Sequence, residues 1–189
     1  HAVEAYTSKK AFSMTDGFAV SAVKRIFKYL PIVYKDAKNE KAREEMAIAA
    51  LEAGISFNNS SVTIVHGMSR PIGALFHVPH GISNAMLLKE CMSFALDGAY
   101  DRFAQLARVI GAARDEDDDI TAGKIFIDKL DEICNVCEVP NMDQYGIEKK
   151  EFFEVIEKMA KDAFDSGSPS NTRKNVTVED MITIYKKLY

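Results

Sequence analysis

The sequence predicts an all-α domain, and two observations support this fold class. Apolar residues recur at helical spacing along nearly the whole chain, whereas only residues 61–65, "SVTIV", resemble a strand. A five-residue run with no partner run elsewhere cannot build a sheet, so we expect helix there too. At 189 residues and 47% hydrophobic content, the chain is sufficient for one core. We therefore expect a single helical domain spanning residues 1–189.

The first half of the chain contains three predicted helices. Residues 1–6, "HAVEAY", read as the middle of a helical pattern. Thr15 can cap a helix that begins at Asp16, and helically spaced apolar residues follow until Pro31, which we expect to end it. A third, alanine-rich helix is expected from a cap at Asn39 to Gly54.

The second half repeats the pattern five times. In the last of these segments, Thr177 and Asp180 resemble a capping box with aspartate in place of the usual glutamate or glutamine. The five helical segments cover residues 82–96, 100–111, 124–138, 148–164 and 177–189. The expected linkers are residues 35–39, 115–119, 140–146 and 166–175.

Charge and cysteine content exclude several classes of protein. The formal net charge is −4, and the acidic run 115–119, "DEDDD", would repel a phosphate backbone, so we expect no nucleic-acid partner. No apolar run approaches the roughly 20 residues of a membrane span, and we expect no membrane partner. The three cysteines are too few for a disulfide framework. These features favour a cytoplasmic protein.

Three of the four histidines lie in a segment rich in helix breakers. His66 and His80 are fourteen positions apart, which is about 21 Å along one straight helix, so they can meet only if the chain reverses. We expect Pro71 and Pro79 to produce that reversal, because each disfavours helical geometry in the residue before it.

The position of His80 favours a neutral ring. Pro79 suits the first position of a new helix, which would place His80 in its first turn. There the helix dipole disfavours an imidazolium and favours the form that binds metal. From spacing alone, a metal site and a pair of hydrogen-bonded core histidines both remain open.

Four segments together resemble the C-terminal half of an iron-dependent (group III) alcohol dehydrogenase. The most specific is "VHGMSRPIGALFHVPHGISNAMLL", and the others span residues 1–6, 40–60 and 176–189. The resemblance implies the all-helical, metal-binding domain shared with dehydroquinate synthase-like enzymes. It also implies a nucleotide-binding α/β domain that would precede residue 1.

The resemblance further implies a set of metal ligands. In that family an aspartate, a histidine four residues later and the two histidines of the central motif hold a divalent ion. Their counterparts here are His1, His66 and His80, with the aspartate falling before residue 1. The ion would be Fe²⁺ or Zn²⁺, and the three imidazoles alone favour zinc.

Four further residues receive roles from the same resemblance. Phe57 matches a segment that lines the substrate pocket, although a core phenylalanine is the alternative, and Asn59 in that segment approaches the nicotinamide. Arg70 stands where many members carry a histidine, so it would replace a proton relay with an anion contact or form a structural salt bridge. His77 could relay protons or lie at the surface.

The implied function is a metal-dependent alcohol dehydrogenase or aldehyde reductase acting on small alcohols or diols with NAD or NADP. The parent enzyme would be a homo-oligomer, and the isolated chain would be inactive without its nucleotide domain. One alternative is a lyase of the dehydroquinate synthase type, but Arg70 is the only cation within the motif to grip a phosphate-bearing substrate. Another is a non-catalytic helical module. Cys134 and Cys137 are expected to be buried apolar residues rather than zinc ligands.

Overall fold

The computed structural model describes all residues from 1 to 189 and confirms the all-α prediction. The nine α-helices are α1 (Ala2–Thr7), α2 (Ser13–Lys35), α3 (Glu40–Ser60), α4 (Ile64–Phe76), α5 (His80–Ala95), α6 (Tyr100–Val109), α7 (Asp119–Val136), α8 (Lys149–Asp165) and α9 (Val178–Lys186). Short 3₁₀ turns lie at Leu96–Gly98 and Ser168–Asn171. The one β-type contact is an isolated antiparallel bridge between Ser8 and Thr172.

Helix α2 extends beyond both of its predicted ends. It begins at Ser13, because Thr15 forms reciprocal bonds with the Phe12 backbone, its Oγ1 accepting from the N–H at 3.0 Å. The prediction that Pro31 ends this helix is wrong. A proline removes one N–H from the ladder, and the helix continues until Lys35.

The predicted cap of α3 is confirmed, but its predicted end is wrong. The Asn39 side chain accepts a hydrogen bond from the Ala42 N–H at 3.0 Å. The helix passes Gly54 and ends at Ser60, where Ser61 turns to a φ of 71°. The buried Ser60 hydroxyl donates to Ser56 O at 2.9 Å, so the last turn belongs to the packed interior.

The segment 61–65 is helical only from Ile64, so the prediction of helix throughout it is partly wrong. Asn171 holds the non-helical part, because its Nδ2 donates to Ser61 Oγ and to Val62 O, each at 3.0 Å. Asn171 lies more than a hundred positions from Ser61 and Val62 in the sequence, so no local pattern in residues 61–65 predicts these bonds.

One turn, not two, reverses the histidine segment. Pro71 lies inside α4, so the prediction that it breaks the helix is wrong. Helix α4 ends at Phe76, and the next residue, His77, has left-handed backbone angles (φ 54°, ψ 27°). Pro79 then precedes α5 as its N-cap, and His80 is the first helical residue.

Short α1 lies in the interior and all six of its residues are buried. It packs on α2 and α3, while α4 packs on α5 and α8, and α6 pairs with α7. Arg102 of α6 fixes the end of α1, since Nε and Nη2 donate to Tyr6 O at 2.9 and 2.7 Å. The same guanidinium pairs with Asp16 of α2.

Three further features of the fold concern α9, α4 and the helices as a set. The Thr177–Asp180 capping box is confirmed. In α4, Gly67 allows Pro169 to pack closely, since a Cβ there would lie 2.6 Å from the proline ring. None of the helices combines the length and apolar character needed to cross a membrane.

Candidate metal centre

The starts of three helices meet at one point. His1 immediately precedes α1, His66 lies in the first turn of α4, and His80 begins α5. Each offers one ring nitrogen, and these three atoms all lie within 4.8 Å of one another. The fold therefore brings together all three predicted metal ligands, which come from positions up to 79 residues apart along the chain.

The three rings face each other through their Nε2 edges. His66 Nε2 lies 3.0 Å from His1 Nε2, and the His66 and His80 ring centroids are 5.1 Å apart. The amide nitrogen of Asn84, one turn after His80 on α5, lies 3.0 Å from His80 Nε2 and 3.3 Å from His66 Nε2. His66 is buried, while His1 and His80 are exposed.

Glu4 supports the cluster from beneath and is only 1% exposed. Its Oε1 accepts from the Thr63 N–H at 3.0 Å, from Thr63 Oγ1 at 2.7 Å and from the Val65 N–H at 2.8 Å. Its Oε2 contacts His66 Nδ1. The carboxylate thus satisfies N–H groups that the start of any helix leaves without partners, at the end of the helix where negative charge is favoured.

Glu4 also determines which nitrogen of His66 is available. Burial raises the pKa of the Glu4 carboxyl, but the hydrogen bond and charge of His66 and the hydrogen bond from Thr63 lower it, and the net pKa lies below its ordinary value. An ionised carboxylate only accepts hydrogen bonds, so His66 Nδ1 is the donor. In the neutral ring, Nε2 then carries a lone pair on the side of the ring that faces His1 Nε2 and the Asn84 amide.

His80 is also suited to remain neutral. Desolvation lowers the pKa of His80, and Arg70 and any protonation of His66 lower it further, against a smaller raising effect of Glu4. A histidine with a lowered pKa offers its lone pair to a metal over a wider pH range, because protons and metal ions compete for the same nitrogen.

The other predicted residues lie at different distances from this cluster. The Phe57 ring stacks on His1 with centroids 4.3 Å apart. Asn59 is exposed, and its Nδ2 donates to Ile55 O at 2.8 Å. Arg70, one helical turn after His66, is exposed and donates from Nη1 to Ser168 Oγ at 2.9 Å. His77 is exposed and lies outside the cluster.

Sequence reasoning missed Glu4 and Asn84. Both carry a spacing signal, since Glu4 follows His1 by three positions and Asn84 follows His80 by four, which puts each pair on one helix face. A lone acid in the otherwise apolar run "AVEAY" is a second signal, because a buried carboxylate requires partners.

The donor set fits a divalent transition metal. Three imidazoles with converging Nε2 atoms match the three-nitrogen sets of catalytic zinc sites. A carboxylate bonded to the far nitrogen of a ligand histidine is the usual second layer of such sites. The prediction that Cys134 and Cys137 are buried is only partly right, since both are half-buried, whereas Cys91 is buried. Burial raises the pKa of all three thiols, that of Cys134 to about 11, so none is a ready thiolate near neutral pH.

Comparison with known proteins identifies relatives over the whole chain. Residues 1–189 match the family model described as "Fe-containing alcohol dehydrogenase family, C-terminal". The NAD-dependent methanol dehydrogenase of Bacillus methanolicus is 32% identical over 187 residues, covering 98% of this chain and 48% of that protein. The 1,3-propanediol dehydrogenase of Citrobacter freundii is 34% identical over 175 residues, covering 92% and 44%.

Solved structures agree with the sequence matches. A 1,3-propanediol oxidoreductase superposes with a TM-score of 0.94 at 28% identity, covering 100% of this chain and 49% of the other. An iron-containing alcohol dehydrogenase from Thermococcus thioreducens gives 0.88 at 28% identity, covering 100% and 47%. The chain therefore spans about half the length of the relatives it matches.

Proposed function

The chain belongs to the Fe-containing alcohol dehydrogenase family, as its C-terminal region, and from that premise we propose that it is the metal- and substrate-binding domain of a nicotinamide-linked alcohol dehydrogenase. In this proposal residues 1–189 form one helical domain, and a nucleotide-binding domain precedes them in the complete enzyme. The substrates are small alcohols, diols and the matching aldehydes. Relatives named for methanol, 1,3-propanediol and butanol support that substrate class.

One observation carries the proposal: three histidine nitrogens from three helices converge within 4.8 Å, and a buried carboxylate orients the central one. We assign His1, His66 and His80 as metal ligands on this basis. A hydrogen-bonded core cluster does not account for the geometry equally well, since two of the rings are exposed at the surface.

A divalent ion at this point supplies Lewis-acid chemistry, polarising an alcohol or carbonyl oxygen. The chain's own residues supply positioning. Glu4 fixes the His66 tautomer, and Phe57 covers the His1 ring with an apolar surface against which the carbon chain of a substrate can pack. Hydride transfer itself is the chemistry of the nicotinamide, and the protein orients the two reactants.

Three further residues receive proposed roles. Asn59, on the exposed end of α3 near Phe57, contacts the nicotinamide half of the cofactor. Arg70 contacts an anionic group of substrate or cofactor, because its guanidinium lies one turn beyond His66 and keeps free donors after bonding Ser168. An arginine cannot act as a base, so His77 is the remaining candidate for passing protons to solvent.

The proposal also includes the metal, the cofactor, the cellular location and the oligomeric state of the complete enzyme. The resident metal is Fe²⁺ or Zn²⁺ and the cofactor is NAD or NADP, with relatives of both cofactor types known by name. The complete enzyme is a cytoplasmic homo-oligomer. Neither a lyase nor a non-catalytic module receives comparable support, since the relatives are named as dehydrogenases.

The test is a comparison of the complete enzyme with the isolated chain. With metal and NAD or NADP present, the complete enzyme should oxidise 1,3-propanediol or a short primary alcohol, and its His66→Ala variant should lose nearly all of that activity. The isolated residues 1–189 should bind metal but turn over nothing. A complete enzyme with no activity on any short alcohol or aldehyde, or full activity without His66, would contradict the proposal.

A further inference from the structure

Arg70 places a positive charge beside the histidine cluster without a matching negative charge. It lies on α4 one helical turn after His66, so the two side chains leave the helix from the same face. Its charge is one of those that lower the pKa of His80, which puts it near both histidines. The side chain is exposed and forms no salt bridge, and its one hydrogen bond goes to Ser168. The charge is therefore open to a ligand that reaches the cluster.

The fold holds the guanidinium of Arg70 in place through Ser168. Nη1 donates to Ser168 Oγ at 2.9 Å. Ser168 is 8% exposed and begins the 3₁₀ turn that follows α8. That turn packs closely on α4, because Gly67 has no side chain and leaves room for the ring of Pro169. A bond to this packed hydroxyl restricts Arg70, while the remaining N–H groups of the guanidinium stay available as donors.

A guanidinium with free N–H groups recognises carboxylate and phosphate, because its planar fork matches their paired oxygens. The acid groups of a nicotinamide cofactor are its phosphates, and a dinucleotide-binding domain holds these at one of its own helix N-termini. The nicotinamide ring that meets the substrate carries no acid group. An anion bound by Arg70, one turn from a proposed metal ligand, therefore belongs to the substrate.

We propose that the preferred substrate is a short hydroxy acid or the matching aldehyde acid, whose carboxylate is bound by Arg70 while its alcohol or carbonyl oxygen lies at the histidine cluster. This inference rests on the proposed function and narrows its substrate class. Cβ atoms four residues apart on a helix are about 5–6 Å from each other, which favours an acid of about three to five carbon atoms. On oxidation the alcohol carbon gives a hydride to NAD⁺ or NADP⁺ and the hydroxyl proton leaves to water, so the carboxylate is unchanged.

The experiment uses the complete enzyme, loaded with zinc, and compares 4-hydroxybutyrate with 1,4-butanediol. The two molecules have carbon chains of the same length, and only the first is charged. The measured quantity is the ratio of kcat/KM for the acid to kcat/KM for the diol. The variants are Arg70→Gln, Arg70→Lys and Ser168→Ala. The matched control is Arg43→Gln, since Arg43 is an exposed arginine near the start of α3, at the opposite end of that helix from Phe57.

We expect the wild type to prefer the acid. Arg70→Gln should lower the ratio about ten- to a hundredfold, because it removes hydrogen bonds to a charged group. Arg70→Lys should lower the ratio less, since the charge remains and only the fork is lost. In Ser168→Ala a positioning residue is lost, so KM for the acid should rise about two- to fivefold, more than kcat falls. Arg43→Gln should leave the ratio unchanged.

A second measurement does not depend on turnover. Phenylglyoxal modifies arginine side chains, and its reaction with Arg70 in the complete enzyme can be followed by mass spectrometry of the peptide that contains this residue. We expect 4-hydroxybutyrate to slow the modification of Arg70 and 1,4-butanediol to slow it far less. Equal slowing by the two molecules, or slowing by neither, would contradict the inference.

Two kinetic results would overturn the inference while leaving the proposed function intact. One is oxidation of 1,4-butanediol without preference for the acid and with the same ratio in Arg70→Gln. The other is a higher KM for NAD or NADP with both substrates in Arg70→Gln, at an unchanged ratio, which would assign the guanidinium to the cofactor. An enzyme that oxidises neither molecule nor any other short alcohol would contradict the proposed function itself.

Discussion

The first turns of α4 and α5 each present a histidine to the same point, but they are built differently. The α4 turn is buried, and Glu4 accepts hydrogen bonds from Thr63, Val65 and His66 there. The α5 turn begins at Pro79 without any side-chain cap, and His80 is exposed. The His66 ring is held by Glu4 from a different helix, whereas the His80 ring is hydrogen-bonded only within its own helix, to Asn84. We call Glu4 and the first turn of α4 the anchor of the cluster. The His80 side of the cluster is free to adjust.

The largest effect is expected from removing the anchor's carboxylate. Glu4→Leu leaves the α4 N–H groups and His66 Nδ1 without their acceptor in a buried place, which costs about 3–5 kcal/mol when one partner of a buried pair is lost. Urea unfolding of the metal-free chain measures this change. The control is Glu132→Leu, since Glu132 is exposed on α7 and should change stability by less than about 0.5 kcal/mol. If both variants lower the free energy of unfolding equally, Glu4 does not stabilise the first turn of α4.

The next largest effect distinguishes His66 from His80 by the stability of the metal-free chain. His66→Ala and His80→Ala should both lose most of the zinc affinity, because each removes a proposed ligand. Only His66→Ala should also destabilise the metal-free chain, by about 1–3 kcal/mol, since it leaves the buried Oε2 atom of Glu4 without its partner. His77→Ala, an exposed histidine outside the cluster, should alter neither property. Metal-free melting and zinc titration of all three variants supply both readouts.

A smaller effect tests burial with two similar hydroxyls. Thr63 Oγ1 donates to Glu4 and Thr121 Oγ1 donates to Asp118, each at 2.7 Å beside a helix start, but only the first pair is buried. Thr63→Val should cost about 1–2 kcal/mol and Thr121→Val about half or less, because water replaces an exposed bond. Equal losses of unfolding free energy in chemical denaturation would mean that burial does not strengthen the bond from Thr63 to Glu4.

The smallest effect is expected from replacing the cysteines. They would affect zinc binding only if the metal were bound by them rather than by the histidine cluster. Burial raises the pKa of Cys134 to about 11, so its thiol is almost fully protonated at pH 8. Alkylation of Cys134 by iodoacetamide should therefore be slow at pH 8 and should keep accelerating with pH up to about that value. The double variant Cys134→Ala, Cys137→Ala should bind zinc as tightly as the wild type. A loss of zinc affinity there would move the metal away from the two histidine turns.

The sequence predicted the helices well where local chemistry decides, as at the Asn39 cap and the Thr177–Asp180 box. It failed where packing overrides a local signal. Pro71 removes one N–H yet remains inside α4, where Met68, Ser69 and Ile72 beside it are buried. The residues around Pro31 are half-buried or exposed, and packing does not explain why α2 continues past it. Residues 61–63 avoid helix because Asn171 bonds them from far along the chain.

The residues of the candidate site also divide into those that the sequence predicts and those that depend on packing between helices. His66 and His80 could be named from the motif, and the resemblance added His1. Glu4 and Asn84 could not, because their importance arises from contacts between helices that only the fold brings together. Spacing places a side chain on a face of its helix but does not say what that face meets.

The most direct test of the account is a crystal structure of the chain grown with Zn²⁺, with anomalous data collected at the zinc edge. We expect one strong anomalous peak about 2.0–2.1 Å from the Nε2 atoms of His1, His66 and His80. His66 should hold the same ring orientation as in the metal-free chain, with its Nδ1 still on Glu4, while His80 and Asn84 adjust. A peak that touches fewer than two of these histidines, or lies at Cys134 and Cys137, would contradict the account.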